Sequence, residues 1–294
     1  MNKNPVCPLC KKQENQKLFS HGNYELKVCN HCELHFIDPY PAEINLVHDR
    51  VSDYSKHEMS MVDADTDQQS TALYFKKYLP MVDKVCQGAD SVLDVGCGTG
   101  YLLQQLGLRQ NFYRCGIELN PDRAAIARSI SGCEIHELPL EDFKSEKKFD
   151  VIILMNVLSH IHSFEKLFGS ILKLLNENGK VIFKLGEFRK QAKKSDIIDW
   201  EIPDHLHFLG HNTINYICQK YNFEIDTHER EPYSSYLFSR DRWLANGRSK
   251  FRNVIKKIIT YTPFALKILS VVFNLTRGKD TYSSFIVIKK ITTK

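Results

Sequence analysis

The stretch SVLDVGCGTG, residues 91–100, decides the fold class of this 294-residue chain. Its first five residues form an apolar run of strand length, and three glycines follow it before a helical pattern begins near Tyr101. Glycine has no Cβ, so a ligand can approach the backbone closely where the first N–H groups of the helix point outward. The stretch therefore predicts a strand, a ligand-binding turn and a helix in succession.

Two acidic residues accompany this turn. Asp94 lies two residues before the first glycine, and the spacing G-x-G-x-G differs from the G-x-G-x-x-G of dinucleotide sites. An aspartate beside the turn suits a ligand with an ammonium group better than one with a pyrophosphate. Glu118 ends the next apolar run, where a carboxylate can accept both hydroxyls of a ribose. The pattern predicts an adenosine-type ligand that also carries positive charge.

Short apolar runs alternate with helical patterns over most of the chain. The runs lie at 91–95, 114–118, 133–136, 150–155, 180–185, 223–225 and 284–290. The helical patterns lie at 101–108, 121–130, 163–176 and 213–221. Strands separated by helices of this length form βαβ units. We therefore expect an α/β fold with a doubly wound, mostly parallel, seven-stranded sheet.

Composition divides the chain into five segments. They are a cysteine-rich module at 1–41, a helical linker at 42–88, the sheet-forming core at 89–240, a basic helical insertion at 241–281 and the last strand at 282–294. The first segment ends in the sequence DPYP, residues 38–41, whose two prolines predict an extended exit from the module.

Four cysteines form two C-x2-C pairs with 18 residues between them: Cys7 with Cys10, and Cys29 with Cys32. This spacing is typical of a tetrahedral zinc site, in which each pair supplies two thiolates from one tight turn. His31 or His35 is the alternative to one of the thiolates. Four protein ligands leave no open position, so we expect the Zn²⁺ to be structural. A segment of about forty residues with few large apolar side chains needs the metal to fold.

Three stretches resemble the class I S-adenosylmethionine-dependent methyltransferases: DVGCGTG at 94–100, FDVIILMNVLSHI at 149–161 and LLNENGKVIFKLGE at 174–187. The resemblance implies that S-adenosyl-L-methionine is the cofactor. It implies that Asp94 and the loop backbone hold the methionine end, that Glu118 holds the ribose, and that the turn at 140–141 flanks the adenine. The cofactor-binding residues implied in this way are Asp94, Gly96, Cys97, Gly98, Gly100, Glu118, Leu140, Glu141 and Asn156.

A second resemblance concerns the methyl acceptor. The cysteine pairs followed by HFIDPYP, residues 35–41, resemble the zinc-ribbon leader of sugar C-methyltransferases and of relatives encoded with polysaccharide or natural-product pathways. Residues 204–208 resemble the E-H-x-x-Y-F signature of those enzymes, with Asp204-His205 on the acid–histidine pair. A hydroxyl or an acidic C–H acceptor needs a base, and histidine titrates near neutrality.

The candidates for the catalytic residues are therefore His205, Asp204 and His207, with His160 as a further candidate base. The alternative is that this histidine-rich loop only packs against the core and caps the helix that follows it.

Charge is distributed unevenly along the chain. Lys and Arg number 40 and Asp and Glu 35, a net charge of +5, but twelve basic residues and one acidic residue lie between Arg242 and Lys294. Segment 248–276 could cover the acceptor site, contact an anionic membrane peripherally, or bind RNA. No apolar run reaches the roughly 20 residues of a bilayer span, and the N-terminus does not resemble a signal peptide. We expect a cytoplasmic protein, at most peripheral to the membrane.

We expect methyl transfer to a small-molecule or glycan-type acceptor, such as a nucleotide-linked or lipid-linked sugar. Residues 155–157, Met-Asn-Val, differ from the N-P-P-Y type of loop that cradles a nucleobase amino group. The turn directly after the fourth strand, residues 156–161, contains no cysteine, as resemblance to RNA cytosine C5 enzymes would require, so nucleic acid is not the expected partner. A zinc-ribbon RNA methyltransferase and a non-catalytic binding module on the same fold are the alternatives.

Overall fold

The computed structural model describes residues 5–40, 64–188, 202–203, 205–232, 262, 264–273 and 281–291, the side chains of 64–71, 73 and 273 excepted. Its strands are β1 (Asn15–His21), β2 (Tyr24–Cys29), β3 (His35–Asp38), β4 (Ser91–Val95), β5 (Tyr113–Ile117), β6 (Glu134–His136), β7 (Phe149–Met155), β8 (Leu175–Phe188), β9 (His207–Gly210), β10 (Phe223–Pro232) and β11 (Thr281–Lys290). Its helices are α1 (Ala64–Val85), α2 (Tyr101–Gly107), α3 (Pro121–Ser131), α4 (Phe164–Leu174), α5 (Thr213–Tyr221) and α6 (Ala265–Phe273), with a 3₁₀ turn at Leu158–His160. Residues 42–63 of the expected linker lie outside the described residues.

The central part of the sheet has the strand order β6-β5-β4-β7-β8-β11-β10. Neighbouring strands from β6 to β8 are parallel, whereas β11 is antiparallel to both β8 and β10. The chain runs outward from β4 to β6 and then returns to place β7 on the other side of β4. Such a reversal is a topological switch point, and open α/β sheets bind ligands there, beyond the carboxyl ends of the strands.

The expectation of a mostly parallel, seven-stranded sheet is corrected in two respects: four further strands join the sheet, and it is mixed, with as many antiparallel as parallel strand pairs in the described ranges. β9 pairs in parallel with the end of β8, and β3 pairs antiparallel with β9. β2 and β1 continue from β3, so the hydrogen-bonded sheet has 11 strands. The sequence did not reveal β9, because the four residues HFLG at 207–210 are too few to show a periodicity. The cysteine-rich module is thus continuous with the main sheet.

Helices cover both faces of this sheet. α1 and α2 pack on one face, with a cluster made of Tyr78, Leu79, Val82, Leu102, Leu106, Ile153, Ile182 and Val287. α4 and α5 pack on the other, with Phe164, Leu167, Phe168, Ile171, Leu154, Phe183, Ile214 and Ile217. Successive residues of β7, such as Ile153 and Leu154, therefore belong to different clusters. Burial on both faces explains why this strand is a continuous apolar run and does not alternate.

Local signals set the ends of α3. The Asn120 side chain accepts a hydrogen bond from the N–H of Asp122, and Pro121 occupies the first helical position. Gly132 ends the helix with φ +65°, a left-handed conformation that glycine adopts without a steric penalty. Because these signals are visible in the sequence, the expected helix, 121–130, differs from the observed helix by only one residue.

α6 is the main described part of the expected basic insertion; the rest of 248–276, residue 262 and Phe264 excepted, lies outside the described residues. Phe264, Ile268 and Val271 are each at least half exposed. No helix within the described ranges is both long and apolar enough to cross a membrane.

Candidate functional site

The glycine turn after β4 closes on the end of β5. The N–H groups of Gly96 and Cys97 both donate to the carbonyl oxygen of Ile117, at 2.7 and 3.0 Å. Gly96 and Gly98 have φ values of +71° and +56°, in the region that favours glycine. A Cβ on Gly96 would lie 2.6 Å from the Val157 side chain, whereas one on Gly98 would meet nothing within 4 Å. Gly98 therefore presents bare backbone to open space.

Glu118 follows β5 and contacts this turn with its carboxylate. Its Oε2 accepts a hydrogen bond from the N–H of Gly98, and its Oε1 accepts one from the N–H of Asn120, both at 2.9 Å. The side chain is half-buried, so part of the carboxylate faces solvent. Glu118, the candidate ribose-binding residue, and the exposed backbone of Gly98 are thus neighbours at one edge of the sheet.

Asp94, the fourth residue of β4, is a buried acid. It is 3% exposed, and no hydrogen bond to its carboxylate is found within the described part of the chain. Burial, and secondly the negative charge of Glu118, raise the pKa of Asp94 to about 8. A ligand cation beside this carboxylate would remove the energetic cost of ionising it.

These residues fit S-adenosylmethionine. Bare backbone at Gly98 can lie against the ligand, Glu118 can accept from the ribose hydroxyls, and Asp94 can compensate an ammonium group. The Thr99 hydroxyl in the same turn is buried and has no hydrogen-bond partner among the described residues, which leaves it available to a ligand. The donor set therefore matches the hydroxyl and cationic parts of this cofactor.

The remaining cofactor-binding candidates have different surroundings. The Cys97 thiol is buried in a cluster with Leu103 and Ile135, so only its backbone belongs to the loop surface. Gly100, with φ +78°, lets α2 begin close to α3: a Cβ there would lie 2.8 Å from the Ala127 Cα. Leu140 is buried in the core, whereas Glu141 and Asn156 are exposed.

Two histidines meet at the carboxyl end of β7. His160 belongs to the 3₁₀ turn after β7, and His205 lies two residues before β9. Their ring centroids are 4.6 Å apart, with the ring planes at 46°. The sequence named each residue separately as a candidate base, but only the structure brings them together. The N–H of His160 donates to the carbonyl oxygen of Val157 at 2.9 Å, and the Val157 side chain packs on Gly96, so the turn that carries His160 adjoins the cofactor turn.

His207 lies in the interior. Its exposure is 0%, its ring packs on Phe164 at 4.5 Å, and its Nε2 hydrogen-bonds the carbonyl oxygen of Leu158. Its Nδ1 lies 3.4 Å from the hydroxyl oxygen of Tyr40. With both nitrogens held by protein groups, this ring cannot reach an acceptor. Asp204, the other catalytic candidate, lies outside the described residues.

A buried charged cluster lies at the end of β8, and the sequence did not indicate it. Glu187, with 0% exposure, accepts hydrogen bonds from Ser284 and Arg230 and contacts His228 Nε2 at 2.8 Å. Burial by itself would raise the pKa of Glu187, but these hydrogen bonds outweigh it and lower that pKa. The four residues lie on three strands that only the tertiary structure brings together, so no local signal could reveal them.

The four cysteines of the N-terminal module converge as expected for a metal site. Their sulfur atoms all lie within 4.8 Å of one another, and no other His, Cys, Asp or Glu group in the described ranges forms such a cluster. The Sγ atoms of Cys7 and Cys32 are 3.6 Å apart, and those of Cys10 and Cys29 are 3.4 Å apart. Zn–S bonds of about 2.3 Å in a tetrahedron place the sulfurs about 3.8 Å apart, so the cluster is close to this size.

The two cysteine turns have the same backbone geometry. The residue after each pair, Lys11 or Glu33, has a left-handed φ of +64° or +60°. Its N–H donates to the carbonyl oxygen of the first cysteine of the pair, Cys7 or Cys29, at 3.0 Å in both turns. Glycine often occupies this position because the conformation costs a larger residue some strain. Here Lys11 and Glu33 adopt this conformation instead of glycine, and both turns still form.

Comparison with known proteins agrees with this geometry. The model of a family described as "Methyltransferase domain" matches residues 69–228, more than half of the chain. The chain is also similar to a ubiquinone biosynthesis O-methyltransferase of Rickettsia bellii, with 25% identity over 167 residues that cover 52% of this chain and 68% of that protein.

Two solved structures are similar in fold. One is coclaurine N-methyltransferase bound to N-methylheliamine and S-adenosylhomocysteine, with TM-score 0.53, 17% identity and 72% of each chain covered. The other is the O-methyltransferase from a trans-AT PKS multienzyme of Brevibacillus brevis, in complex with S-adenosyl-L-homocysteine, with TM-score 0.52 and 16% identity. That match covers 78% of this chain and 77% of the other. At such identities the likeness concerns the fold alone.

The raised pKa of Asp94 predicts a distinctive pH dependence of stability. The folded, ligand-free protein keeps the Asp94 proton up to about pH 8, whereas an unfolded chain releases it near pH 4. The folded state therefore binds more protons in this window, and the free energy of unfolding should fall as the pH rises through it. Asp94→Asn should flatten this dependence, as measured by urea unfolding at a series of pH values.

Proton release on cofactor binding tests the protonation state of Asp94 in a second way. Positive charge on the ligand favours ionised Asp94, so binding should release a proton and tighten as the pH rises toward about 8, the pKa of Asp94 in the free protein. Calorimetry in buffers of different ionisation enthalpy detects that proton. Asp94→Asn should abolish the release and weaken binding about tenfold or more, because a charged hydrogen bond is worth about 1.5–3 kcal/mol. Proton release that persists in the variant would exclude Asp94 as its source.

Proposed function

The chain belongs to the methyltransferase-domain family, and since it is an S-adenosylmethionine-dependent methyltransferase, we propose that it methylates a hydroxyl group of a small-molecule or glycan-type acceptor. The observation that carries this proposal is the pair His160 and His205, with ring centroids 4.6 Å apart beyond the cofactor turn. A neutral imidazole can take a proton from a hydroxyl, a step that an amine or thiol acceptor needs less.

In the proposed reaction the cofactor supplies an activated methyl group. His205 accepts the proton of the acceptor hydroxyl while the new O–C bond forms and the S–C bond breaks, leaving S-adenosylhomocysteine. His160 contacts the His205 ring and restricts its orientation. Asp94 and Glu118 hold the methionine end and the ribose of the donor, so that the acceptor oxygen and the methyl carbon can be aligned, which lowers the entropic part of the barrier.

One similarity supports a hydroxyl as the methylated group, and one resemblance supports a sugar as the acceptor molecule. The similar curated protein of Rickettsia bellii is named as an O-methyltransferase. The resemblance of the cysteine module and of segment 204–208 to sugar C-methyltransferases supports a nucleotide-linked or lipid-linked sugar as the acceptor molecule, without favouring its hydroxyl over its carbon. Methylation of a sugar carbon is the second candidate, since the same base would serve an acidic C–H.

Replacing His205 tests the assignment. His205→Ala should lower kcat by about 10² or more, the usual contribution of a general base, with the dissociation constant for S-adenosylhomocysteine unchanged. The matched control is His211→Ala, since His211 is an exposed histidine just beyond β9. The measurement is methyl-donor consumption across sugar nucleotides, lipid extracts and RNA.

Several outcomes of this experiment would contradict the proposal. Full turnover by His205→Ala removes His205 as the base. Activity on RNA alone would favour a zinc-ribbon RNA methyltransferase. No affinity of the wild-type chain for either form of the cofactor would favour a non-catalytic binding module.

We propose further that the four cysteines hold a structural Zn²⁺. Support comes from the sulfur separations of 3.4 and 3.6 Å and from the two matching backbone turns. With four thiolates as ligands, no coordination position is left for a substrate, so the metal would stabilise the module and take no part in methyl transfer.

Metal analysis checks this proposal. Purified protein should contain one zinc per chain, and Cys32→Ser should lose the metal together with thermal stability. Cys133→Ser, a change in a half-buried cysteine outside the cluster, should keep both. Wild-type protein that keeps its melting temperature after zinc is removed by a chelator would contradict a structural role.

We also propose that segment 248–276 contacts an anionic membrane surface. Phe264, just before α6, and Ile268 and Val271 within it are 74%, 60% and 51% exposed, and the i, i+3 spacing of the last two places them on one side of the helix. By sequence, the segment from Arg248 to Lys279 contains basic residues and no acidic ones. Exposed apolar residues together with positive charge match an anionic lipid interface.

Liposome sedimentation tests this contact. The protein should pellet with phosphatidylglycerol vesicles at low salt, and pelleting should decrease as salt rises and be absent with phosphatidylcholine. Ile268→Asp should reduce it several-fold, while Leu108→Asp, the same change at an exposed leucine elsewhere, should not. No pelleting at low salt would contradict the proposal, and so would salt-sensitive retention on RNA without retention on vesicles.

A further inference from the structure

Leu206 forms one connection between the cysteine module and the candidate acceptor site. The Leu206 carbonyl oxygen accepts a hydrogen bond from the N–H of Ile37, in β3 of the module, at 3.0 Å. The Leu206 N–H donates to the carbonyl oxygen of Ser159, in the 3₁₀ turn after β7, at 2.9 Å. His205 precedes Leu206 and His160 follows Ser159. The same backbone bond that joins the two segments therefore brings the two imidazoles together.

Tyr40 forms a second connection between the module and this turn. Its hydroxyl donates to the carbonyl oxygen of His162 at 3.3 Å and also lies 3.4 Å from His207 Nδ1. Its ring packs on that of His162, with centroids 5.0 Å apart. Because His207 contacts the carbonyl oxygen of Leu158 through Nε2, Tyr40 is linked to residues on both sides of His160.

The donor and acceptor character of each group determines the direction of the hydrogen bonds of His207 and Tyr40. The Leu158 carbonyl can only accept, so His207 Nε2 must carry a proton, and in a neutral ring Nδ1 is then an acceptor. The single hydroxyl proton of Tyr40 is shared between that acceptor and the His162 carbonyl oxygen. Phenylalanine at position 40 would keep the ring contact but leave both acceptors without this donor in a half-buried position.

We propose that Tyr40 is a positioning residue of the acceptor site, which sets the separation and orientation of the His160–His205 pair. The cysteine module then contributes to the geometry of the acceptor site in addition to extending the sheet. This inference rests on the proposed function, in which His205 removes the acceptor proton. It adds that the module, through β3 and Tyr40, determines where that base lies.

The packing of the module makes this role possible. The Cys32 carbonyl oxygen accepts from the Thr213 hydroxyl at 3.0 Å, and the Glu33 carboxylate accepts from the backbone and side-chain N–H groups of Asn212. A Cβ on Gly210 would lie 2.0 Å from the Glu33 carbonyl oxygen, so β9 and the second cysteine turn are in direct contact. A shift of the module would therefore move β9, and with it His205.

The test compares Tyr40→Phe with Tyr24→Phe. Tyr24 lies in β2 of the same module, is half-buried, and makes no hydroxyl hydrogen bond within the described ranges, so it is a matched loss of one hydroxyl. Tyr40→Phe should lower kcat about ten- to hundredfold, the scale expected when a catalytic group is misplaced by about 1 Å. It should leave the zinc content and the dissociation constant for S-adenosylhomocysteine unchanged, and Tyr24→Phe should change none of these quantities.

A spectroscopic readout is independent of turnover and of the acceptor. In Tyr40→Phe the imidazole NMR signals of His160 and His205, assigned by single substitutions, should shift relative to wild type, whereas Tyr24→Phe should leave them in place. Equal kcat and equal imidazole signals in the two variants would overturn the inference. Loss of zinc and of cofactor binding in Tyr40→Phe would also overturn it, because the residue would then only support folding.

The same data separate this inference from the proposed function. If His205→Ala retains full turnover, His205 is not the base and the proposed function fails. The imidazole shifts in Tyr40→Phe would still report whether Tyr40 sets the geometry of the pair. If His205→Ala is inactive and Tyr40→Phe is indistinguishable from Tyr24→Phe, only the positioning role fails.

Discussion

Two hydrogen bonds to one carbonyl oxygen, from Gly96 and Cys97 to Ile117, are the constraint on which the rest of the site depends. They turn the chain sharply at the carboxyl end of β4 and leave the backbone of Gly98 open. Because β5 ends at the same level, Glu118 emerges beside that open backbone. The absence of a Cβ at Gly96 lets Val157 pack against the turn, so the ends of three neighbouring strands form one surface.

The two buried acids of the sheet show where a ligand is needed. Glu187 has no exposed surface, yet its pKa is lowered, because Ser284, Arg230 and His228 satisfy its oxygens. Asp94 is almost as buried, yet burial and the charge of Glu118 raise its pKa to about 8. Without a protein partner in the described ranges, the Asp94 carboxylate is costly in the free chain. A cationic ligand removes that cost, which couples cofactor binding to the charge state of the turn.

The cysteine module changes how the acceptor side is built. β8 extends beyond the end of β7, which leaves an unpaired edge there. Here β9 fills the place beside the end of β8 and carries the module on its other edge. Leu206 and Tyr40 then connect the module to the turn after β7. The cysteine module can in this way define the position of His205 and the turn that carries His160.

The sequence by itself determined the features that depend on neighbouring residues. The glycine turn, the acid at 118, most strands and helices of the core, and the two cysteine pairs all follow from short-range spacing and turn chemistry. Tertiary structure decided what depends on distant pairing. His160 and His205 meet although 44 residues separate them, His207 lies in the core beside Phe164, and β9 joins the module to the sheet. A strand of four residues is too short to show a periodicity, so β9 could not be predicted. Whether a histidine lies at the candidate acceptor site or in the core depends on which distant segments pack around it, and only the folded chain brings those segments together.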